Sequence, residues 1–290
     1  MRLLSPIVAG CWRLPTWKLD TPGLVRWIEQ AVELGITSFD HADIYGDYAV
    51  EEAFGKALAA APGLRERLTL VTKCGIKLVS PARPAHAIKS YDSSRAHVID
   101  SVERSLRALH TDRIDLLLIH RPDLLMDPDE LAATFAELRA EGKVLHFGAS
   151  NHTPSQFERL HRRFALAAHQ VEFSPLRLQA LFDGTLEQVL DLGLPPMAWS
   201  PLAGGQLLSG EDEPARRVRE TLQALGQAHS GASVATMAYA WLRRHPSRPV
   251  LITGSGRIEA LREAVASLSI TLTAEEWYRV RQASLGHEVP

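Results

Sequence analysis

Short apolar, β-branched runs alternate with longer stretches of helical spacing from one end of the chain to the other. The short runs are SPIVAG (5–10), TSFDHA (37–42), RLTLVTKC (67–74), DLLLIH (115–120), VLHFGAS (144–150), AAHQVEF (167–173), PMAWSP (196–201) and PVLITGS (249–255). Apolar runs without polar alternation are expected to be parallel strands covered on both faces. Between them, PGLVRWIEQAVELG, SRAHVIDSVERSLRAL, PDELAATFAELRAEG and SQFERLHRRF carry apolar residues at helical spacing, several opening on Pro or Ser. Eight β-then-α units predict an α/β chain folded as a closed (β/α)8 TIM barrel, an architecture that typically takes about 250 residues as one domain. A single domain over 1–290 is therefore expected.

An open doubly wound sheet is the rival. Its support is ITGSGRIEAL (252–261), Gly-rich between a strand and a helix, but Glu259 replaces the third glycine of the dinucleotide fingerprint and no further β units follow. In a barrel the same loop follows the eighth strand, where a helix N-terminus favours an anion such as a nucleotide phosphate.

Composition narrows the partners. The 290 residues are 46% hydrophobic and 23% charged with a net charge of -2, so no broad basic field draws nucleic acid or an anionic membrane. Cys11 and Cys74 lack the spacing of a disulfide or metal framework, and the N-terminus lacks a signal-peptide pattern. No apolar run approaches the roughly 20 residues of a membrane helix. A soluble, cytoplasmic protein is expected.

Barrel active sites gather at the C-terminal ends of the strands. Those ends carry Cys11 and Trp12, then SFDHADIYGD (38–47), Lys73, His120, Ser150 and Asn151, Gln170, Trp199 and Ser200, and Gly254 to Arg257. An Asp40–Lys73 ion pair would place a cation beside Tyr45, favour its phenolate and lower its pKa from about 10 toward neutrality. Such a tyrosine donates a proton, and His120 can orient a carbonyl oxygen or relay that proton. Those groups suit carbonyl reduction, which also needs a hydride source.

GITSFDHADIYG, LVTKCG, DRIDLLLIHRPD, GKVLHFGASN, HQVEFSP, AWSPLAGGQL and MAYAWLRRHP, in that order, resemble the aldo-keto reductase superfamily over nearly the whole chain, and a GSG-basic ending to strand eight resembles a bacterial oxidoreductase branch. The resemblance implies a (β/α)8 barrel, NADPH in preference to NADH, and a small aldehyde or ketone substrate. It implies a catalytic tetrad of Tyr45, the general acid, with Asp40, Lys73 and His120. It implies nicotinamide contacts from Ser150, Asn151, Gln170 and the face of Trp199, and a pyrophosphate segment of Ser200, Pro201, Leu202, Gly204 and Gly205. Arg257 would pair with the 2'-phosphate, while Gly254, Ser255, Gly256 and Glu263 surround the ribose and adenine. Ala260 and Ala264 depart from the family pattern at this end.

His41, Asp43 and Asp47 have no family catalytic role and read as capping or solvated loop groups. Trp12 is expected to line the substrate pocket, shaped by the loops after strands one, four and seven and by the tail WYRVRQASLGHEVP. Arg121 and Asp123 are expected to fix the loop after strand four, and both cysteines to be bystanders. No resident metal is expected: no His-x-His follows the first strand, and a metal-dependent hydrolase would leave Lys73 and Tyr45 unexplained. An NADP(H)-binding redox sensor with little turnover is the alternative from another class, and turnover itself separates the two.

Overall fold

All eight expected strands form. They are β1 (Ile7–Gly10), β2 (Ser38–Asp40), β3 (Thr69–Cys74), β4 (Ile114–Ile119), β5 (Val144–Ser150), β6 (Ala168–Glu172), β7 (Met197–Trp199) and β8 (Val250–Thr253). The computed structural model describes residues 3–289. Its strand order, β1-β8-β7-β6-β5-β4-β3-β2, closes into a parallel (β/α)8 barrel. The chain's contacts divide into two compact units, Met1–Gln170 and Val171–Pro290, which are taken in turn.

In the first unit the helices are α1 (Thr21–Glu33), α2 (Val50–Ala60), α3 (Arg95–Ala108), α4 (Pro128–Ala140) and α5 (Pro154–His161). Their starts follow from local chemistry. Asp20 caps α1 by accepting from the Gly23 amide at 2.8 Å, and Thr153 and Gln156 form a reciprocal capping box on α5. The buried faces pack aromatic on aromatic: Trp27 of α1 meets Phe39 of β2 at 6.0 Å between ring centroids, and Phe39 meets Phe54 of α2 at 5.5 Å. Helices α2 and α3 approach so closely that only glycine fits at position 55, where a Cβ would overlap the Ala108 carbonyl oxygen.

Parallel registers align the strand ends. Gly10 pairs with Asp40, Asp40 with Val71, Lys73 with Leu118, Ile119 with Ala149, and Ser150 with Gln170. The longest connection in this unit follows β3, with a two-stranded hairpin of Ile76–Lys77 against Ser90–Tyr91. Unlike the loops after strands one, four and seven, which are expected to shape the pocket, this one carries no legible sequence signal, because two-residue strands have no period. Asp123 does fix the loop after β4: it accepts from the amide and hydroxyl of Ser93 at 2.9 and 2.8 Å, and from the Leu125 amide at 2.9 Å.

In the second unit β7 and β8 pair through Met197↔Val250 and Ala198↔Leu251. Its longer helices are α6 (Thr185–Asp191), α7 (Glu213–Ala228), α8 (Val234–Arg244), α9 (Ile258–Ala266) and α10 (Ala274–Leu285). Most of the expected pocket-shaping tail is therefore helix α10. Trp241 of α8 stacks on Trp277 of α10 at 5.0 Å, and each indole N–H donates to the other residue's backbone carbonyl, at 2.9 and 3.2 Å.

Candidate active site

Lys73 organises the polar centre of the first unit. It is fully buried on β3, and its ammonium donates to Asp40 Oδ2 at 2.7 Å, to the His41 carbonyl oxygen at 2.7 Å and to Tyr45 Oη at 3.0 Å. Its three protons each have an acceptor. Asp40 ends β2, and its other oxygen, Oδ1, accepts from Gln170 Nε2 at 2.8 Å. Tyr45 is brought back over Lys73 by the loop after β2, in which Gly46, Asp47 and Tyr48 all have positive φ (56°, 59° and 68°). Lys73 Nζ lies 4.8 Å from the centre of the Tyr45 ring, and the His120 ring meets that ring edge-on at 5.9 Å. Asp40, Tyr45, Lys73 and His120 are thus brought together.

Burial governs the protonation of this group. It draws the Lys73 ammonium down, but attraction to Asp40 and Tyr45 and hydrogen bonds to both leave its pKa above the ordinary lysine value. The Tyr45 phenol moves up, because loss of water outweighs the nearby Lys73 cation. This corrects the expected fall toward neutrality: the same enclosure that brings the lysine close removes the solvent a phenolate needs. His120 is held well below its ordinary value by burial and then by Lys73, Arg121 and Lys89, so its ring is neutral. Its Nδ1 is buried without a hydrogen-bond partner. Cys11 and Cys74 are buried free thiols, both pushed up by burial.

The remaining charged residues of 38–47 are not alike. Asp47 is exposed, as expected of a loop group, whereas His41 is completely buried, edge-on to Phe54 at 4.4 Å, with its pKa lowered to about 3 by burial and then by Lys73. Asp43 is half-buried, with Oδ1 enclosed and unpartnered, and burial raises the carboxyl well above the usual range. Sequence reasoning missed Glu51. It is a buried carboxylate on α2 that accepts from Thr72 Oγ1 at 2.5 Å and Ser105 Oγ at 2.9 Å, tying α2 to β3 one residue before Lys73 and to α3. The available signal was a carboxylate at helical spacing from Phe54 and Leu58, on an otherwise apolar stripe.

Ser150 ends β5, Asn151 follows it, and Gln170 is the middle residue of the neighbouring β6. Asn151 has φ 60°; its backbone N–H donates to the Gln170 carbonyl oxygen at 2.8 Å, and its Nδ2 donates to Ser150 Oγ at 2.8 Å and to the His120 carbonyl oxygen at 3.3 Å. Trp12, after β1, is 60% exposed beneath the Arg13 guanidinium, 5.6 Å from its ring centre.

In the second unit, Trp199 ends β7 and Ser200 follows it, and Gly254 follows the paired strand β8. The turn that follows is strained: Ser200 and Ala203 have φ of 51° and 50°, and Gly204 and Gly205 have 68° and 106°. A Cβ added at Gly205 would meet open space, so its surface is bare backbone. Pro201 is buried and Leu202 half-buried. After β8, Gly254, Ser255 and Gly256 lead into α9, where exposed Arg257 is the N-cap residue and no side chain caps the helix. That leaves its first amides for an anion. Glu263 lies half-buried on α9, its backbone carbonyl accepting from Thr236 at 3.1 Å.

Residues 6–285 match the aldo/keto reductase family. The chain is 48% identical over 288 residues to oxidoreductase YdhF of Escherichia coli (strain K12), covering 99% of this chain and 95% of that one. It is 39% identical over 289 residues to a 6-dehydroglucose reductase of Agrobacterium fabrum, covering 99% and 96%. Among solved structures, an aldo/keto reductase from Klebsiella pneumoniae in complex with NADP and acetate superposes with a TM-score of 0.78 at 26% identity, covering 99% and 93%.

Proposed function

The chain belongs to the aldo/keto reductase family and is an oxidoreductase, and from that premise we propose that it reduces an aldehyde or ketone to an alcohol with NADPH, Tyr45 delivering the proton. The observation that carries the reading is the triple hydrogen bonding of Lys73, which puts a buried cation on Tyr45 Oη and braces it with Asp40. Residues 1–290 are read as one catalytic domain.

Bound NADPH supplies the hydride. Two features of this chain suit it: the side chains of Ser150 and Asn151 at the end of β5, and the uncapped start of α9 with Arg257 at its N-cap for a 2'-phosphate. The relative solved with NADP supports the choice of nucleotide. Ser150, Asn151 and Gln170 would hold the carboxamide, Trp199 the ring face, and Ser200 to Gly205 the pyrophosphate, against backbone that no Cβ covers at Gly205. Gly254, Ser255, Gly256 and Glu263 would border the ribose and adenine.

The chain's own part is proton delivery. Tyr45, protonated at neutral pH, donates Oη–H to the carbonyl oxygen as charge builds there, and Lys73 stabilises the phenolate left behind. Neutral His120 offers one N–H to orient that oxygen. Trp12 is proposed as a wall of the substrate site. No described helix is long and apolar enough to cross a membrane, and the cytoplasm is the proposed location.

Tryptophan-fluorescence titration with NADPH and NADH, followed by an aromatic aldehyde and by 6-dehydroglucose, tests the reading. Preferred NADPH binding and turnover that Tyr45→Phe abolishes, with NADPH affinity retained, is the expected result. Binding without turnover favours a sensor, and loss of cofactor binding in Tyr45→Phe overturns the assigned role.

A further inference from the structure

The family resemblance assigns Gln170 to the nicotinamide, but its side chain already has another partner. A carboxylate only accepts hydrogen bonds, so the amide nitrogen of Gln170 must face Asp40 Oδ1, 2.8 Å away. Lys73 occupies the other oxygen, Oδ2, at 2.7 Å. Both residues are nearly sealed from solvent, Asp40 and Gln170 each 3% exposed. One carboxylate oxygen is thus fixed by a cation and the other by an amide, across 130 residues of sequence.

We propose that Gln170 is a positioning residue for proton delivery: by holding Asp40 Oδ1 it fixes the carboxylate plane, and so aims the Lys73 ammonium at Tyr45 Oη. Without that donor, Oδ1 is left buried and unpaired, and the carboxylate is free to turn and draw Lys73 with it. One of the two Nε2 protons of Gln170 is spent on Asp40, which leaves the other and the amide oxygen to serve a cofactor carboxamide. The role rests on the carbonyl-reduction reading. The titratable groups facing Tyr45 and its lysine are Cys11 after β1, Asp40 at the end of β2, His41 and Asp43 in the loop after it, Glu51 on α2, Lys73 on β3 and His120 after β4.

Gln170→Met, which keeps the length and removes the donor, is compared with Gln170→Glu, whose carboxyl can donate only when protonated. Three readouts are taken: NADPH dissociation constant, kcat against pH, and the 1H–15N signal of the Lys73 ammonium in the cofactor-free protein, assigned with Lys73→Met. Gln170→Met is expected to lower kcat at saturating NADPH by about ten- to a hundredfold, a larger change than any in NADPH affinity, and to shift or broaden the Lys73 signal. Gln170→Glu is expected to recover kcat as pH falls. An unchanged Lys73 signal with kcat near wild type and weakened NADPH binding overturns the proposal and leaves Gln170 a cofactor contact. If Gln170→Met does not fold, the pH-dependent recovery and Lys73 signal of Gln170→Glu decide alone, flat values of both overturning the role. A wild-type protein without turnover would sink the reductase reading, whereas a Lys73 signal that still moves would uphold the coupling.

Discussion

Asp40→Asn keeps the shape of the side chain and removes the counter-charge of a fully buried lysine. At 2.7 Å and an effective dielectric of about 20, the pair attracts by about 6 kcal/mol. Asparagine retains a neutral acceptor for Lys73, and its amide can be met by a flipped Gln170. The loss should then fall near the 3–5 kcal/mol, roughly, of breaking a buried pair. Proton linkage sets an independent ceiling. Deprived of Asp40, Lys73 can shed its proton, which at pH 7 costs about 4.6 kcal/mol from an ordinary lysine value of about 10.4. The sign of the pH dependence follows. In the wild type the folded Lys73 pKa is raised, so its contribution is intact below about pH 10.4 and is lost only as pH climbs through the folded value. In the variant burial dominates and the folded pKa falls below the unfolded one, so the unfolded state binds more protons and stability rises with pH. The deficit of Asp40→Asn should therefore shrink by about 1.4 kcal/mol per pH unit, from about 4 at pH 7 to about 1 near pH 9. Urea unfolding at pH 7, 8 and 9 measures it. A deficit under about 1 kcal/mol at pH 7, or one that does not change with pH, would refute the uncompensated-charge argument.

Because burial holds the Tyr45 phenol above its ordinary value, kcat for aldehyde reduction should stay flat from neutrality to about pH 10; a fall centred near pH 7 would contradict this. Arg257→Ala should weaken NADPH by about 10- to 100-fold and leave NADH within about twofold, read by fluorescence titration. Gly55→Ala drives a methyl into the Ala108 carbonyl and Leu109 backbone of the neighbouring segment, and should cost about 1–3 kcal/mol in urea unfolding with kcat unchanged. His41 and His169, both lowered to about 3 by burial, take up protons only on unfolding between there and about 6.5, so stability falls with acid by about 1.4 kcal/mol per pH unit for each. His169→Leu should flatten that slope by one proton between about pH 6 and 4, and an unaltered slope would refute the assignment.

The period of the apolar residues was enough to mark eight strands and their order, because a strand covered on both faces must be apolar throughout and a helix on a barrel must present one stripe. Strand-end placement likewise drew Asp40, Tyr45, Lys73 and His120 toward one another, since parallel strands in register bring their C-terminal ends to one side. The state of those groups was not legible. Whether Lys73 lowers Tyr45 or enclosure raises it depends on how much water the surrounding loops exclude, a quantity no spacing encodes. The partner of Gln170 lies on a strand 130 residues away, and Glu51 is buried only because α2, β3 and α3 meet there. Even His41, inside the most chemically conspicuous segment, was read as a loop group while the structure seals it. Local period is written in neighbouring residues and survives in the sequence; desolvation and long-range hydrogen bonding are properties of the enclosure, and only the folded barrel creates it.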